Sequence, residues 1–307
     1  MMTSLAAALA LHAAIASAAA PARIPAPGLP WFSPSSRMEF VWIEALDLWV
    51  GKFEVTNGQY RRFRPAHDSG RFDVHSLNDD HQPAVEVGFR DAAAFAVWLN
   101  EQDARALGDL RYRLPSEDEW QTYAQCGDSR AYPWGDRMPP RFGNYHGREG
   151  AETWDKITDY NDTHPVSAPV DDSGENDWGL FGVGGNVWEL TASPSRNTFS
   201  AWRGASWADG VDFTLRCDTR DDGSESPACV NGFRLVLAPT YSPPPPADPD
   251  PDLHDSYLVY TIQPGDTWEG IARLFVVPRE DLLRANRDDG IDDPAPDRRI
   301  YIPPCTE

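Results

Sequence analysis

Cysteine is scarce in this chain. Four are spread over 307 residues, at positions 126, 217, 229 and 305, and none stands in the CxxC spacing of a zinc or dithiol centre. The seven histidines (12, 67, 75, 81, 146, 164 and 254) form no HxH or HxxxH pair. Positive charge is short as well: 27 Lys and Arg face 48 Asp and Glu, a net charge of −21. Phosphate-rich partners need net basic surface, so this balance excludes nucleic acid and acidic lipid. It suits a soluble protein that tolerates divalent cations. Long apolar runs are also missing. The best, Leu5–Ala20, is too short and too rich in alanine for a transmembrane span.

That run ends in Ala-x-Ala patterns and reads as a secretory signal peptide over residues 1–20, although its first residues carry no Lys or Arg. Export to the periplasm or cell wall is the expectation. In such a compartment an even cysteine count favours disulfides, and four cysteines allow three connectivities among which sequence does not choose.

Rings and breakers are abundant. Twelve Trp, ten Tyr and thirteen Phe accompany 23 Gly and 28 Pro, which points to a loop-rich globular body cored by large rings. The chain is organised around Trp178–Ser193, WGLFGVGGNVWELTAS. Its glycines allow positive φ and close backbone approach. The NVWEL run that follows must be buried with Glu189 inside it. A buried carboxylate has to meet a cation, a metal or several N–H donors.

After a Pro-rich leader (21–37), FVWIEALDLWVGKFEVT alternates like a hairpin turning near Leu48–Lys52. NGQYRRF predicts a short helix with Tyr60 and Phe63 inward, and PAVEVGF (Pro83–Phe89) a short strand. Asp91 caps a predicted helix, DAAAFAVWLNEQ, with Ala92, Phe95, Trp98 and Leu99 on one face. Ser116 and Glu119 form a capping box at the next helix start. About a hundred residues beyond Tyr132 lack long periodicity and end in GFRLVL. The Pro- and Asp-rich stretch 239–256 reads as an extended linker between a body at 38–238 and a module at 257–304.

In order, EVTNGQYRRF, PAVEVGFRDAAAFAVWLN, YRLPSEDEW, YPWGD, GLFGVGGNVWEL, WRGASW and GFRLVL resemble the formylglycine-generating enzyme, or sulfatase-modifying factor, family across the whole body. The resemblance implies a loop-rich α+β fold related to C-type lectins. Family oxidases convert a sulfatase cysteine to formylglycine with copper held by two cysteines. Here those two positions carry Asp209 and Thr214, and a nearby family histidine is Gly210. Copper(I) wants thiolates, so no copper and no formylglycine oxidase activity are expected. Trp188 and Ser206 do match family active-site positions. Cys217 matches a structural half-cystine, with Cys126 or Cys229 as its partner. The resemblance also implies structural calcium. One site would use the side chains of Asn144 and Asp162 with the carbonyls of Tyr145 and His164, a hard oxygen set; Asp162 could instead serve to cap a turn. A second would use the carbonyls of Gly185 and Val187 with Glu189, but Gly182 stands where the family usually has Asn.

The segment YLVYTIQPGDTWEGIARLFVVPREDLLRANRDDGIDDPAPDRRIYIPP resembles a LysM module, a βααβ unit that binds N-acetylglucosamine polymers such as peptidoglycan or chitin. The first turn, Gly265, Asp266, Thr267 and Trp268, and residues 292–297 would line its groove. Trp268 is either a stacking ring or a core residue. The expected whole is an exported cell-envelope protein that carries a non-oxidase binding or assembly domain with an unknown protein partner, tethered to peptidoglycan. The rivals are an enzyme of the same family with residual or different oxidase-type activity, and a carbohydrate binder throughout.

Overall fold

The computed structural model describes residues 24–150, 154–192, 200–221, 227–239, 258–262, 266–275, 277–286, 294 and 299–302. The expected signal peptide, the linker from residue 240 onward, Gly265 and Cys305 lie outside them.

The first strands, β1 (Trp31–Phe32), β2 (Glu39–Ile43) and β3 (Leu48–Gly51), pair antiparallel in sequence. The hairpin turns at Glu44–Asp47, earlier than the sequence suggests, with Asp47 left-handed at φ 51°. The expected turn residues Leu48–Val50 are buried in the sheet, whereas a short polar Asp tolerates the left-handed region. A capping box of Thr56 and Gln59 starts the one-turn helix α1 (Asn57–Tyr60). A small hairpin, β4 (Arg71–Phe72) and β5 (His75–Ser76), follows.

The expected strand at Pro83–Phe89 does not form. Ala84, Val85 and Val87 are buried, but Glu86 takes φ 59°, which breaks any ladder. Helix α2 (Phe89–Leu107) begins two residues before the expected cap, with Gly88 as N-cap; Asp91 sits in the first turn, paired with Arg64. Ala92, Phe95 and Leu99 are fully buried, as their spacing demands. Strand β6 (Leu110–Arg113) leads to helix α3 (Glu117–Ala124), whose Ser116–Glu119 capping box is formed.

After a long irregular stretch come β7 (Trp188–Ala192), β8 (Ser200–Arg203), β9 (Arg220–Asp221), β10 (Asn231–Phe233) and β11 (Val236–Pro239). Two sheets result, ordered β1-β2-β3-β11-β6 and β10-β7-β8-β9, with β10 parallel to β7 and the other pairs antiparallel. One core joins α2 to the first sheet through Phe40, Trp49, Tyr60, Phe95, Tyr112 and Phe233. A second lies under α3, where Trp120 and Tyr123 meet Val50, Leu180, Val183, Cys217 and Val236.

The C-terminal module is βααβ: β12 (Leu258–Thr261), α4 (Trp268–Leu274), α5 (Arg279–Ala285) and β13 (Arg299–Ile302), with β12 antiparallel to β13. Thr267 caps α4 as expected. Trp268 is 1% exposed among Ile262, Ile271, Leu282, Ile300 and Ile302, so its ring is core and cannot stack on a sugar. At the first position of α4 its side chain is drawn under the two-stranded sheet.

Candidate functional site

The glycine-rich stretch forms a buried polar hub. Glu189, on β7, is fully buried and its partner is Arg234, equally buried, between β10 and β11. Glu189 Oε1 accepts from Arg234 Nη2 at 2.6 Å and Nε at 3.0 Å, while Oε2 accepts from Trp120 Nε1 at 2.8 Å and Tyr123 OH at 3.4 Å. Arg234 also donates to the carbonyls of Gly51 and Phe181, which ties both sheets to the loop. Of the partners the sequence left open for Glu189, a cation, a metal or several N–H donors, the structure supplies a guanidinium together with the Trp120 and Tyr123 donors. The sequence signal for it is the lone Arg inside the apolar GFRLVL run.

Next to this pair sits Glu54, also fully buried. Asn186 Nδ2 donates to its Oε1 at 2.9 Å, and its Oε2 has no partner among the described residues. Burial pushes the Glu54 carboxyl up to about 7; Arg234 pulls the other way and Glu189 adds to the rise. Gly182 makes room for it: at φ 65°, a Cβ there would lie 2.2 Å from Glu54 Oε1. Asn186 is the hinge of the whole cluster. Its Oδ1 accepts from Asn144 Nδ2 at 3.0 Å and from the Ala168 amide at 2.8 Å, and its own amide donates to Asn144 O at 2.8 Å.

The two cation sites implied by resemblance fare differently. At the first, Asn144 is 1% exposed and its Oδ1 has no partner among the described residues. Asp162 Oδ2 accepts from the Tyr145 amide at 2.8 Å and Oδ1 from the His164 amide at 2.9 Å. Desolvation raises the Asp162 carboxyl to about 6, against the pull of those two amides. Asp162 thus caps the turn to His164 and also holds the Tyr145 amide of the other loop; that desolvated carboxylate and the Asn144 amide oxygen make a hard oxygen set that fits a cation. The His164 ring turns away to Asp172, at 3.0 Å. The second site does not fit. Gly185 and Val187 are in place in the loop, but both Glu189 oxygens are taken by Arg234, Trp120 and Tyr123, and Gly182 contributes no side chain.

Three of the family active-site positions, Trp188, Ser206 and Asp209, meet at one carboxylate. Asp209 Oδ2 accepts from Trp188 Nε1 at 2.9 Å, from the Ser206 amide at 2.9 Å and from Ser206 Oγ at 2.7 Å. Burial raises its pKa, opposed by those hydrogen bonds. Thr214 Oγ1 is turned to the Val211 carbonyl at 2.6 Å. Gly210 is held close: a Cβ would meet Asp155 O at 2.5 Å and Lys156 Cα at 2.7 Å, so the family histidine has no room. Phe72, Trp154 and Trp207 form a ring cluster, with Trp154 38% exposed and in contact with His146, whose amide donates to the Asp209 carbonyl at 3.0 Å. His146 is buried there, its Nδ1 donating to Asp155 O at 2.8 Å and its Nε2 without a partner among the described residues. The arrangement offers carboxylate, indole and imidazole groups for binding, and no pair of thiols.

Cys126, Cys217 and Cys229 are free, so the expected disulfide among them is not formed. Cys126 Sγ points to the Tyr123 carbonyl at 3.9 Å. Cys229 packs with Val187 and Trp207, in a different cluster from Cys217 under α3. In the module, Asp266 accepts from Tyr260 OH at 2.5 Å and Thr267 is spent on its cap. Among the described residues no helix is long and apolar enough to cross a membrane.

Comparison with known proteins agrees with this geometry. A sulfatase-modifying factor enzyme 1-like domain matches residues 37–239 and a LysM domain residues 260–303. The formylglycine-generating enzyme of Thermomonospora curvata is 32% identical over 166 residues, 52% of this chain and 47% of that protein. The inactive C-alpha-formylglycine-generating enzyme 2 of Mus musculus is 34% identical over 165 residues, 50% of this chain and 48% of that protein. The chain thus spans about half the length of these relatives. PvdO from Pseudomonas aeruginosa superposes at TM-score 0.51 with 16% identity, over 70% of this chain and 99% of PvdO. Treponema denticola variable protein 1 gives 0.52 and 16%, over 69% and 99%. At such identity the two structures speak for the fold alone. With the seven motifs, the paired sheets and the hub at Glu189 all in place, this chain belongs to the sulfatase-modifying factor enzyme 1-like family and carries a LysM domain behind that body.

Proposed function

We propose that the body is a binding or assembly domain without formylglycine oxidase activity, exported and held to peptidoglycan or a chitin-like glycan by the LysM module. The observation that supports it is the state of Asp209 and Thr214. Copper-dependent cysteine oxidation needs two soft thiolates at one metal. Here one position is a carboxylate gripped by Trp188 and Ser206, and the other a hydroxyl turned to a backbone carbonyl. The likeness to a mouse relative named inactive is consistent with this. Calcium at the first loop site, through Asn144, Tyr145, Asp162 and His164, would cross-link two loops that have little regular structure.

The test is a mass-spectrometric assay with a sulfatase-type cysteine peptide and copper. No conversion by the wild-type chain is expected. Turnover would overturn the reading and favour the oxidase alternative. The paired substitution Asp209→Cys with Thr214→Cys is the informative control, because it restores the thiols alone.

A further inference from the structure

Helix α2 carries contacts that the packing of the body does not account for. Phe89, in its first turn, stacks on Phe275 of the C-terminal module with centroids 6.2 Å apart and an interplanar angle of 28°. Phe275 packs against the body core and the module core alike. Arg90, one residue on, is solvent-exposed on the body side and lies over the Tyr260 ring, 5.2 Å from its centroid. Its Nη2 donates to Tyr260 OH at 3.0 Å, and that hydroxyl donates to Asp266 Oδ2 at 2.5 Å. About three helical turns farther along, on the same side as Arg90, Glu101 meets Arg273 of α4 at 3.5 Å.

An apolar stack, a cation–π pair and an ion pair thus lie along one stripe of α2, each with its counterpart on the module. We propose that this stripe is a docking surface whose occupant is the chain's own LysM module, and that Arg90 thereby joins the edge of the module's glycan site. The second half rests on the glycan-binding reading above. Each contact alone is weak, since exposed ion pairs are screened by solvent. Tethering changes that: two modules on one short linker meet at an effective concentration in roughly the millimolar range, so an interface too weak for separate proteins stays closed. The consequence for recognition is specific. Asp266 belongs to the first turn of the module, and its carboxylate is oriented by Tyr260, which is oriented in turn by Arg90. A guanidinium also has N–H donors beyond the one given to Tyr260, suited to the hydroxyl and acetamide oxygens of an N-acetylglucosamine polymer.

Hydroxyl-radical footprinting of the full chain tests the docking. Phe275 and Tyr260 should be protected in the wild type and react several-fold faster in Arg90→Glu, while Trp268 and Tyr112, buried within each module, stay unchanged. Arg273→Glu should loosen the interface and Glu101→Arg with Arg273→Glu should restore it. Equal reactivity of Phe275 and Tyr260 in wild type and Arg90→Glu would overturn the docking. Sedimentation of the full chain with insoluble peptidoglycan tests the glycan role: Arg90→Ala should lower the bound fraction at least threefold. Unchanged binding by Arg90→Ala would overturn that role. A wild-type chain that does not sediment would overturn it too, by removing the glycan reading, while the footprint still decides the docking.

Discussion

Glu54 and Glu189 lie on the same hub, yet one is a paired ion and the other is not. Glu54 has a raised pKa, so its protonated form is favoured by folding. The stability it contributes is fully present below the unfolded value of 4.5 and is lost as pH rises to about 7. A shift of that size corresponds to roughly 3 kcal/mol, at 1.36 kcal/mol per unit. Glu54→Gln keeps the hydrogen-bonding shape without the charge. Denaturant unfolding across this window should therefore show a declining stability in the wild type and a flatter profile in the variant. Superimposable slopes would refute the assignment. Arg234→Met should behave in the opposite way, leaving Glu189 buried and uncompensated. A loss of roughly 3–5 kcal/mol is expected, read as a lower midpoint in chemical denaturation. A change within experimental error would mean that water reaches Glu189.

At the scale of elements, the signals of periodicity and capping were legible. The Ser116–Glu119 box, the apolar face of α2 and the Thr267 cap could all be read from local spacing, because local spacing causes them. The expected PAVEVGF strand and first hairpin turn differ from the structure for a common reason. Whether an apolar run pairs, or instead crosses a core as a loop, depends on neighbours distant in sequence, and Glu86 at φ 59° leaves no ladder to join. The loops around Asp162 are held by few regular hydrogen bonds, so a cation there should matter. With calcium at a hundred times its dissociation constant the wild type should gain about 2.7 kcal/mol, and Asp162→Ala should remove that gain. Differential scanning calorimetry in chelator and in millimolar calcium is the measurement, and identical wild-type curves would sink the proposal.

For the whole molecule, the proposed tether predicts that the full chain sediments with insoluble peptidoglycan. Recognition through hydroxyl and acetamide groups should persist as ionic strength rises, whereas attraction between a polyanion and a charged wall fades within a Debye length of about 8 Å at physiological salt. Release by moderate salt would point to charge and away from sugar recognition. The family, the order of its motifs and the second module were all written in the sequence, since each rests on residue types at fixed local spacing. So was the departure at Asp209 and Thr214, which is a matter of identity alone. Tertiary structure decided what those residues meet: Arg234 reaching Glu189 from 45 positions away, Glu54 filling the space over Gly182, and Trp268 turned into its own core. Burial and pairing are properties of folded neighbours, and no local pattern in the chain fixes which distant side chain will supply the missing charge.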